Sequence, residues 1–477
     1  MTSTNGFFDK LNKIKKDDIG ISVRKLCISS TEVYTLYLKA ITDREGISNS
    51  IIKPILQNKI NEKLTIDLIF DSIIFIDEIS LDYDENKIVD YILKGNTIIL
   101  IPDDEKYIIA NTKKIEKRSI PSPELESGLR TPKDAFNENF DSNLSLIRYR
   151  IKDTSLKVDN FSLGRRTKTA VAVVYINDIA NPKYVNEVEN KLRNIDIDGV
   201  IESGYVQKFL KNKPYNLFSQ IGITERSDKA CASMLDGKIC IIVEGSNLAL
   251  IIPMGFFEFL DSGDDHYDNI YLGILSKIIR ITALSLFLTL SSLYIVFVSF
   301  HSDVLPAAYV LILAQSRISV PFNSLIEVFL MEFVAEILRE SSIRLPKQIG
   351  PAIGIVGTIV IGQAAVSAGL VSSLLVIIVS LTTMCSFISP DYTLIAPFRI
   401  LKCMLIILSG VFGLYGFVMG LCIIFTTILS VESYGEPYLT PISPFNFSDL
   451  KNYILSDPKL AKKRSKYSDH KDKIRQK

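Results

Sequence analysis

The sequence predicts a molecule in two parts. The first is an α/β region made of two small α/β subdomains. The second is an all-α polytopic membrane domain with about four spans and one re-entrant or amphipathic segment. Three observations predict this. The chain has 477 residues, more than one ordinary domain holds. Charge is segregated: residues 1–277 carry 37 basic and 41 acidic side chains, residues 278–449 only 7 and 9, and residues 450–477 carry 10 and 3. Three runs without any charge, 281–300, 348–390 and 403–431, contain 20, 43 and 29 residues. A span of hydrocarbon takes about 20 apolar residues.

In chain order, residues 1–30 read as a polar lead. Residues 31–110 read as the first subdomain. Within it, TEVYTLYLKA (31–40) and SIIKPILQNKI (50–60) are expected as helices. NTIILI (96–101) and KYIIA (106–110) are expected as strands around a Pro102-Asp103-Asp104 turn. Residues 111–160, rich in Pro, Ser and charge, read as a crossover linker closed by a helix at LSLIRYRI (144–151). Residues 161–270 form the second subdomain. AVAVVYI (170–176) is a buried strand, and NPKYVNEVENKLRNI (181–195) is a helix with Val185, Val188 and Leu192 on one face. A second helix spans 203–211, and 238–253 is a hairpin turning at Glu244-Gly245-Ser246-Asn247.

Residues 271–431 form the membrane domain. Run 281–300 supplies one span, 348–390 two and 403–431 one. Residues 304–347 hold a short apolar run and then an amphipathic stretch, neither a clean span, and read as re-entrant or interfacial. Residues 432–477 are a Pro-containing segment and a basic tail, expected on the cytoplasmic side. The N-terminus shows no apolar run of signal-peptide length, so the first 277 residues are expected in the cytoplasm too. An even number of spans follows.

Several functions are excluded by composition. Net charge is +1, so no global basic field calls for nucleic acid. The three His (His266, His301, His470) are far apart, and the six Cys form no CxxC pair. No GxxxxGK[ST] loop is present. No cofactor, metal or catalytic constellation is expected, and the chain reads as a non-enzyme. DSGDDHYD (261–268) lacks EF-hand spacing and reads as a solvated juxtamembrane loop.

Two segments of the membrane half carry functional candidates. The first is IGPAIGIVGTIVIGQAAVSAGLVS (349–372), where Gly354, Gly357 and Gly362 recur beside the polar Thr358, Gln363 and Ser367. Small residues let helices approach closely in a membrane. The plain alternative is packing within one chain; the sharper reading is a helix that meets copies of itself and lines a pore. The second is SLIEVFLMEFVAEILRESSIRLP (324–346). Leu330, Phe333, Val334, Ile337 and Leu338 make an apolar stripe, with Glu332, Glu336 and Glu340 on another face, and Glu340 is spaced to pair with Arg344. The carboxylates are either a solvated face or, in an oligomer, rings that favour cations.

The motifs also carry a family resemblance. RTPKDAF (130–136), LIRYRI (146–151), GRRTKTAVAVVYI (164–176) and TERSD (224–228) occur in order. VSFHSDVLP (298–306), SRISVPF (316–322), the two segments above and PYLTPISP (437–444) follow. This order resembles the GerA family of bacterial spore germination proteins, and its A-type subunit in particular. Thr131 and Ala135 stand where that pattern has glycine, and Ser227 where it has proline. The resemblance implies an integral protein of the spore inner membrane. It implies a B-type, transporter-like partner that binds the nutrient, a C-type lipoprotein partner, and self-assembly as a pentamer around an ion path. Opening of that path releases monovalent cations at germination. Two alternatives remain beside it: an accessory protein of the stage V sporulation AF type, and a non-conducting scaffold for receptor assembly.

Overall fold

The computed structural model describes residues 21–28, 31–39, 41–57, 64–102, 104–113, 121–123, 126, 130–213, 215–267, 269–343, 349–456, 463–464, 471–472 and 474–475. The first 20 residues of the predicted lead, much of the crossover before residue 130, Asp268, Arg344 and most of the basic tail lie outside these.

Two five-stranded antiparallel sheets open the chain. The first contains β1 (Ile21–Ile28), β2 (Thr31–Leu38), β3 (Ile79–Asp82), β4 (Asn96–Leu100) and β5 (Tyr107–Asn111) in the order β1-β2-β4-β5-β3. The second contains β6 (Leu156–Leu163), β7 (Thr169–Ile176), β8 (Gly222–Thr224), β9 (Ile239–Val243) and β10 (Ala249–Ile252) in the order β6-β7-β9-β10-β8. The two orders are the same pattern shifted by five strands. Each begins with an eight-pair hairpin, Ile21↔Leu38 to Ile28↔Thr31 and Leu156↔Ile176 to Leu163↔Thr169.

TEVYTLYL is therefore a strand and not a helix. Thr31, Val33, Tyr34, Thr35 and Tyr37 are β-branched or aromatic, types that fit a pleated surface. The strand is covered on both faces, Val33 in one apolar cluster and Tyr34, Leu36 and Leu38 in another. Such a strand loses polar alternation and imitates a buried helix in sequence. Residues 21–28, assigned to the polar lead, are its hairpin partner.

Around the second sheet the helices are α1 (Phe140–Arg150), α2 (Pro182–Arg193), α3 (Ser203–Leu210) and α4 (Ser227–Leu235). Asn139 caps α1 through the Ser142 N–H, and Asn181 caps α2 with Pro182 at its first position. Val185, Val188, Leu192, Val206 and Leu210 pack on Val171, Val173 and Ile241. Leu146, Ile147, Ala230 and Met234 pack on the other face, against Ala172, Val174 and Ile242. Cys231 and Cys240 are buried in this layer; burial pushes both thiols up, Cys231 to about 12, so neither is a nucleophile.

After a short helix α5 (Gly263–Tyr267), the helical half contains α6 (Ile270–Ile295, prolonged by a π turn to Phe300), α7 (Ala307–Arg317), α8 (Ser324–Ile343), α9 (Gly350–Ser367), α10 (Ser373–Ser386) and α11 (Tyr392–Leu429). Among the described residues two stretches are long and apolar enough to cross a membrane, Ile270–Phe300 and Thr393–Leu429, and Ala352–Ser367 and Ser373–Ser386 are shorter apolar helices. The length and composition of these helices agree with the membrane domain read from the sequence.

The second long stretch is not straight. Gly413 has φ 60° and ψ −137°, and a Cβ on Gly416 would lie 2.0 Å from the Leu408 carbonyl oxygen. A straight helix holds residues eight apart at about 12 Å. α11 is thus a hairpin whose arms meet at Leu405 and Gly420, with Leu401, Ile424 and Ile428 in one cluster.

The array differs from the expected four segments in two places. The turn at Gly413 falls inside run 403–431 and divides it between an arm that starts at Tyr392 and a returning arm, and α8 belongs to the bundle. Tyr294, late in α6, meets Glu327, early in α8, and Ser372, at the start of α10. Arg339, late in α8, meets Ser386, the end of α10. Successive segments α6, α8, α9, α10 and the two arms of α11 therefore alternate in direction, six in all. α7 has no buried residue and sits at the periphery, which leaves the re-entrant or interfacial description to that part alone.

Candidate functional site

α8 is built inside out. The expected apolar stripe is split: Phe333 (67% exposed) and Ile337 point away from the bundle, whereas Leu330, Val334 and Leu338 are half-buried. The buried face carries Glu327, Val328, Met331, Ala335 and Arg339. In water this arrangement is costly, but in a lipid environment apolar side chains face outward and charges pair inside.

The paired charges form a ladder. At one end Glu327 is fully buried; its carboxylate accepts from the Ser372 backbone N–H at 2.6 Å and from Tyr294 Oη at 3.3 Å, with Arg317 Nη2 at 3.6 Å. In the middle Glu332 Oε1 lies 2.6 Å from both Lys402 Nζ and Ser291 Oγ. Lys402 also donates to Thr382 Oγ1 at 3.2 Å and stands 4.7 Å from the Phe287 ring. At the other end Glu336 holds Arg339 at 2.8 Å and Arg399 at 2.5 Å, and Arg339 donates to Ser386 Oγ. Glu340 is exposed. Glu332 and Glu336 thus meet cations of α11 within this chain. Sequence reasoning missed Glu327, Arg317, Arg339, Arg399 and Lys402. The last two were visible as cations beside apolar runs, the usual mark of an intramembrane site.

The glycines of α9 face neighbours in the same chain. A Cβ on Gly362 would sit 2.5 Å from Val376 Cγ1 of α10, and one on Gly357 would sit 3.1 Å from Leu338 Cδ2 of α8. Gly354 lies beside Ser342 and Phe387. Thr358 is buried and donates to the Gly354 carbonyl at 2.8 Å. The small-residue face is therefore used for packing within the chain. The other face of α9 is open and carries Ile353, Val356, Val360, Gln363 and Ser367, spaced i, i+3, i+7, i+10 and i+14. Two of the six pore candidates, Gln363 and Ser367, lie on it.

Below the bundle the acidic segment 261–267 is not a solvated loop. Asp265 is buried and pairs with Arg280 through both carboxylate oxygens. Asp261 pairs with His266 Nε2 at 2.5 Å and with Lys277 Nζ at 2.9 Å. Burial alone raises the Asp261 carboxyl, but the His266 hydrogen bond and the Lys277 charge hold it well below the carboxylate range. The same hydrogen bond raises His266. The sequence blocks converge here too. Asp134 of RTPKDAF binds Arg150 at 2.6 Å and Ser227 Oγ at 2.6 Å, and Arg226 pairs with Asp228, which accepts from Tyr267 Oη at 3.2 Å. The hydroxyl of Ser227 both donates to Asp134 and accepts from Arg150 Nε. The second α/β unit is thereby clamped to the first turns of α6.

Comparison with known proteins follows the same outline. Residues 9–467 match the family described as Bacillus/Clostridium GerA spore germination protein. Spore germination protein GerLA of Bacillus cereus is 34% identical over 98% of this chain and 96% of its own length. The uncharacterized membrane protein YfkQ of Bacillus subtilis (strain 168) is 32% identical over 89% of this chain and 83% of its own. The N-terminal domain of the A subunit of the Bacillus megaterium spore germinant receptor GerK3 is 27% identical, covering 50% of this chain and 92% of that one, with a TM-score of 0.40. The chain belongs to the GerA family of spore germination proteins, as an A-type subunit.

Proposed function

We propose that this A subunit self-assembles in the spore inner membrane, as a pentamer, and that the open face of α9 lines a path for monovalent cations. In this reading a B-type subunit binds the nutrient and opens the path, and a C-type lipoprotein completes the receptor. The observation that carries it is the open face itself. Gln363 and Ser367 lie there among Ile353, Val356 and Val360, and polar side chains in a membrane face protein or water rather than lipid. The ladder of α8 supports the same assignment by elimination, since Glu332 and Glu336 are neutralised by Lys402 and Arg399 and are not free to form acidic rings. The alternating six-segment array supports an arrangement with both ends on the cytoplasmic side.

Cysteine cross-linking tests the assembly. In full-length chain carrying Cys27→Ser, Cys403→Ser and Cys422→Ser, which removes the exposed native thiols, the Val356→Cys and Val360→Cys variants should form disulfide-linked dimers on oxidation in the membrane, and Phe333→Cys should not. Monomer alone from both α9 variants contradicts the reading.

A further inference from the structure

The last described helix, α12 (Phe447–Leu455), has no buried residue, although it follows a tightly packed segment. Its side chains divide sharply. Phe447, Leu450 and Ile454 lie at i, i+3 and i+7 on one face, with Phe447 70% exposed and Ile454 also exposed. Asp449 and Asn452 lie on the opposite face. Phe445 and Ile442, just before the helix, are exposed as well. A nine-residue helix of this kind is unstable alone in water.

Its level in the molecule is fixed by Lys277, which is 3% exposed. The ammonium donates to the Tyr453 carbonyl at 2.5 Å and to Ser456 Oγ, and lies 4.2 Å from the Tyr453 ring. Tyr453 stacks edge-on against Phe257 at 5.2 Å. Lys277 lies about 6 Å along α6 before Ile281, the first of the 20 uncharged residues. α12 is therefore pinned at the depth where the hydrocarbon begins; residues 430–446, which touch the second α/β unit through Ser433, Tyr434 and Glu436, link it to the arm of α11 that returns to that side.

We propose that α12 lies in the plane of the membrane interface, with Phe447, Leu450 and Ile454 inserted among lipid and Asp449 and Asn452 toward water. Lys451, on the flank of the apolar face, reaches the headgroups by its stem. The lipid surface thereby holds the Tyr453–Lys277–Asp261 node, which also carries the clamp between the α/β unit and α6. This rests on the membrane placement of α6 and α11.

The test uses full-length chain in lipid nanodiscs with Cys27→Ser, Cys403→Ser and Cys422→Ser, the exposed native thiols. A fluorophore is attached at Phe447→Cys, at Ser448→Cys or, as a reference, at Phe425→Cys on the exposed side of α11. Nitroxide phospholipid should quench the label at 447 several-fold more than at 448, and aqueous iodide should do the reverse. Iodide quenching at 447 equal to that at 448 overturns the proposal. Protection of 447 from both quenchers means a protein partner covers the face, which also overturns it. If 425 is quenched by lipid and 447 is not, only this inference fails. If 425 is not quenched by lipid, the membrane placement fails with it.

Discussion

Lys402 and Glu332 show how much a single buried pair decides. Removing one partner of such a pair leaves an uncompensated charge and costs about 3–5 kcal/mol, whereas replacing both by apolar groups is often neutral. Lys402→Met should therefore lower the melting temperature of the detergent-solubilised protein sharply, and Lys402→Met with Glu332→Leu should recover most of the loss. Equal melting of the single and double variants would show the pair to be solvated. At Gly362 the effect is steric. A Cβ there meets Val376 at 2.5 Å, so Gly362→Val should destabilise by about 1–3 kcal/mol, read as reduced protein level. Val360→Ala on the open face should leave the level unchanged. These residues were only half legible in the sequence. The glycines announced close packing, but spacing alone does not say which partner fills the groove. Glu332 and Glu336 stood out as charges, but their partners Lys402 and Arg399 lie more than 60 residues away in the chain.

Whole elements were legible where period and environment agreed. α2, with Val185, Val188 and Leu192 on one face, and the β9–β10 hairpin match their patterns because each has one apolar and one polar side or a clear turn. β2 was read as a helix because it is buried on both faces; α8 forms where its period placed a helix, but Glu327 and Arg339 turn inward beside Val328, Met331 and Ala335. The α11 hairpin was hidden because its 38 residues hold no proline or charge at the turn, only Gly413 with Gly410 and Gly416 beside it. Gly413 carries the reversal. Gly413→Ala should cost about 1–3 kcal/mol, since φ 60° with ψ −137° is a strained region for a residue with a Cβ. Faster proteolysis between the arms would report it. The short helix α5 gives a pH-dependent element. Asp261 raises His266, so protonated His266 stabilises the junction fully below its unfolded pKa of about 6.5, and that contribution is lost as pH rises through the higher folded value. The imidazole is half-exposed, so screening keeps the effect under about 1 kcal/mol. The melting temperature should fall slightly as pH rises above about 6.5, and His266→Gln should flatten that slope.

At the scale of the molecule, two sheets of one strand order stand before a bundle whose first and last helices return to the same side. The division into a charged and an uncharged half was plain in the sequence. The repeat of sheet order was not, because the two hairpins share topology and no common motif. The bundle encloses its charges as pairs and leaves α9 with an open face bearing Gln363 and Ser367. The most direct test of the cation path is current through the purified full-length chain in planar bilayers, compared with Gln363→Glu and Gln363→Lys. A negative side chain lining a pore raises cation conductance and a positive one lowers it. The account predicts cation-selective steps that grow with Gln363→Glu and shrink at least several-fold with Gln363→Lys; steps of equal size in all three proteins, or none in any, would contradict it.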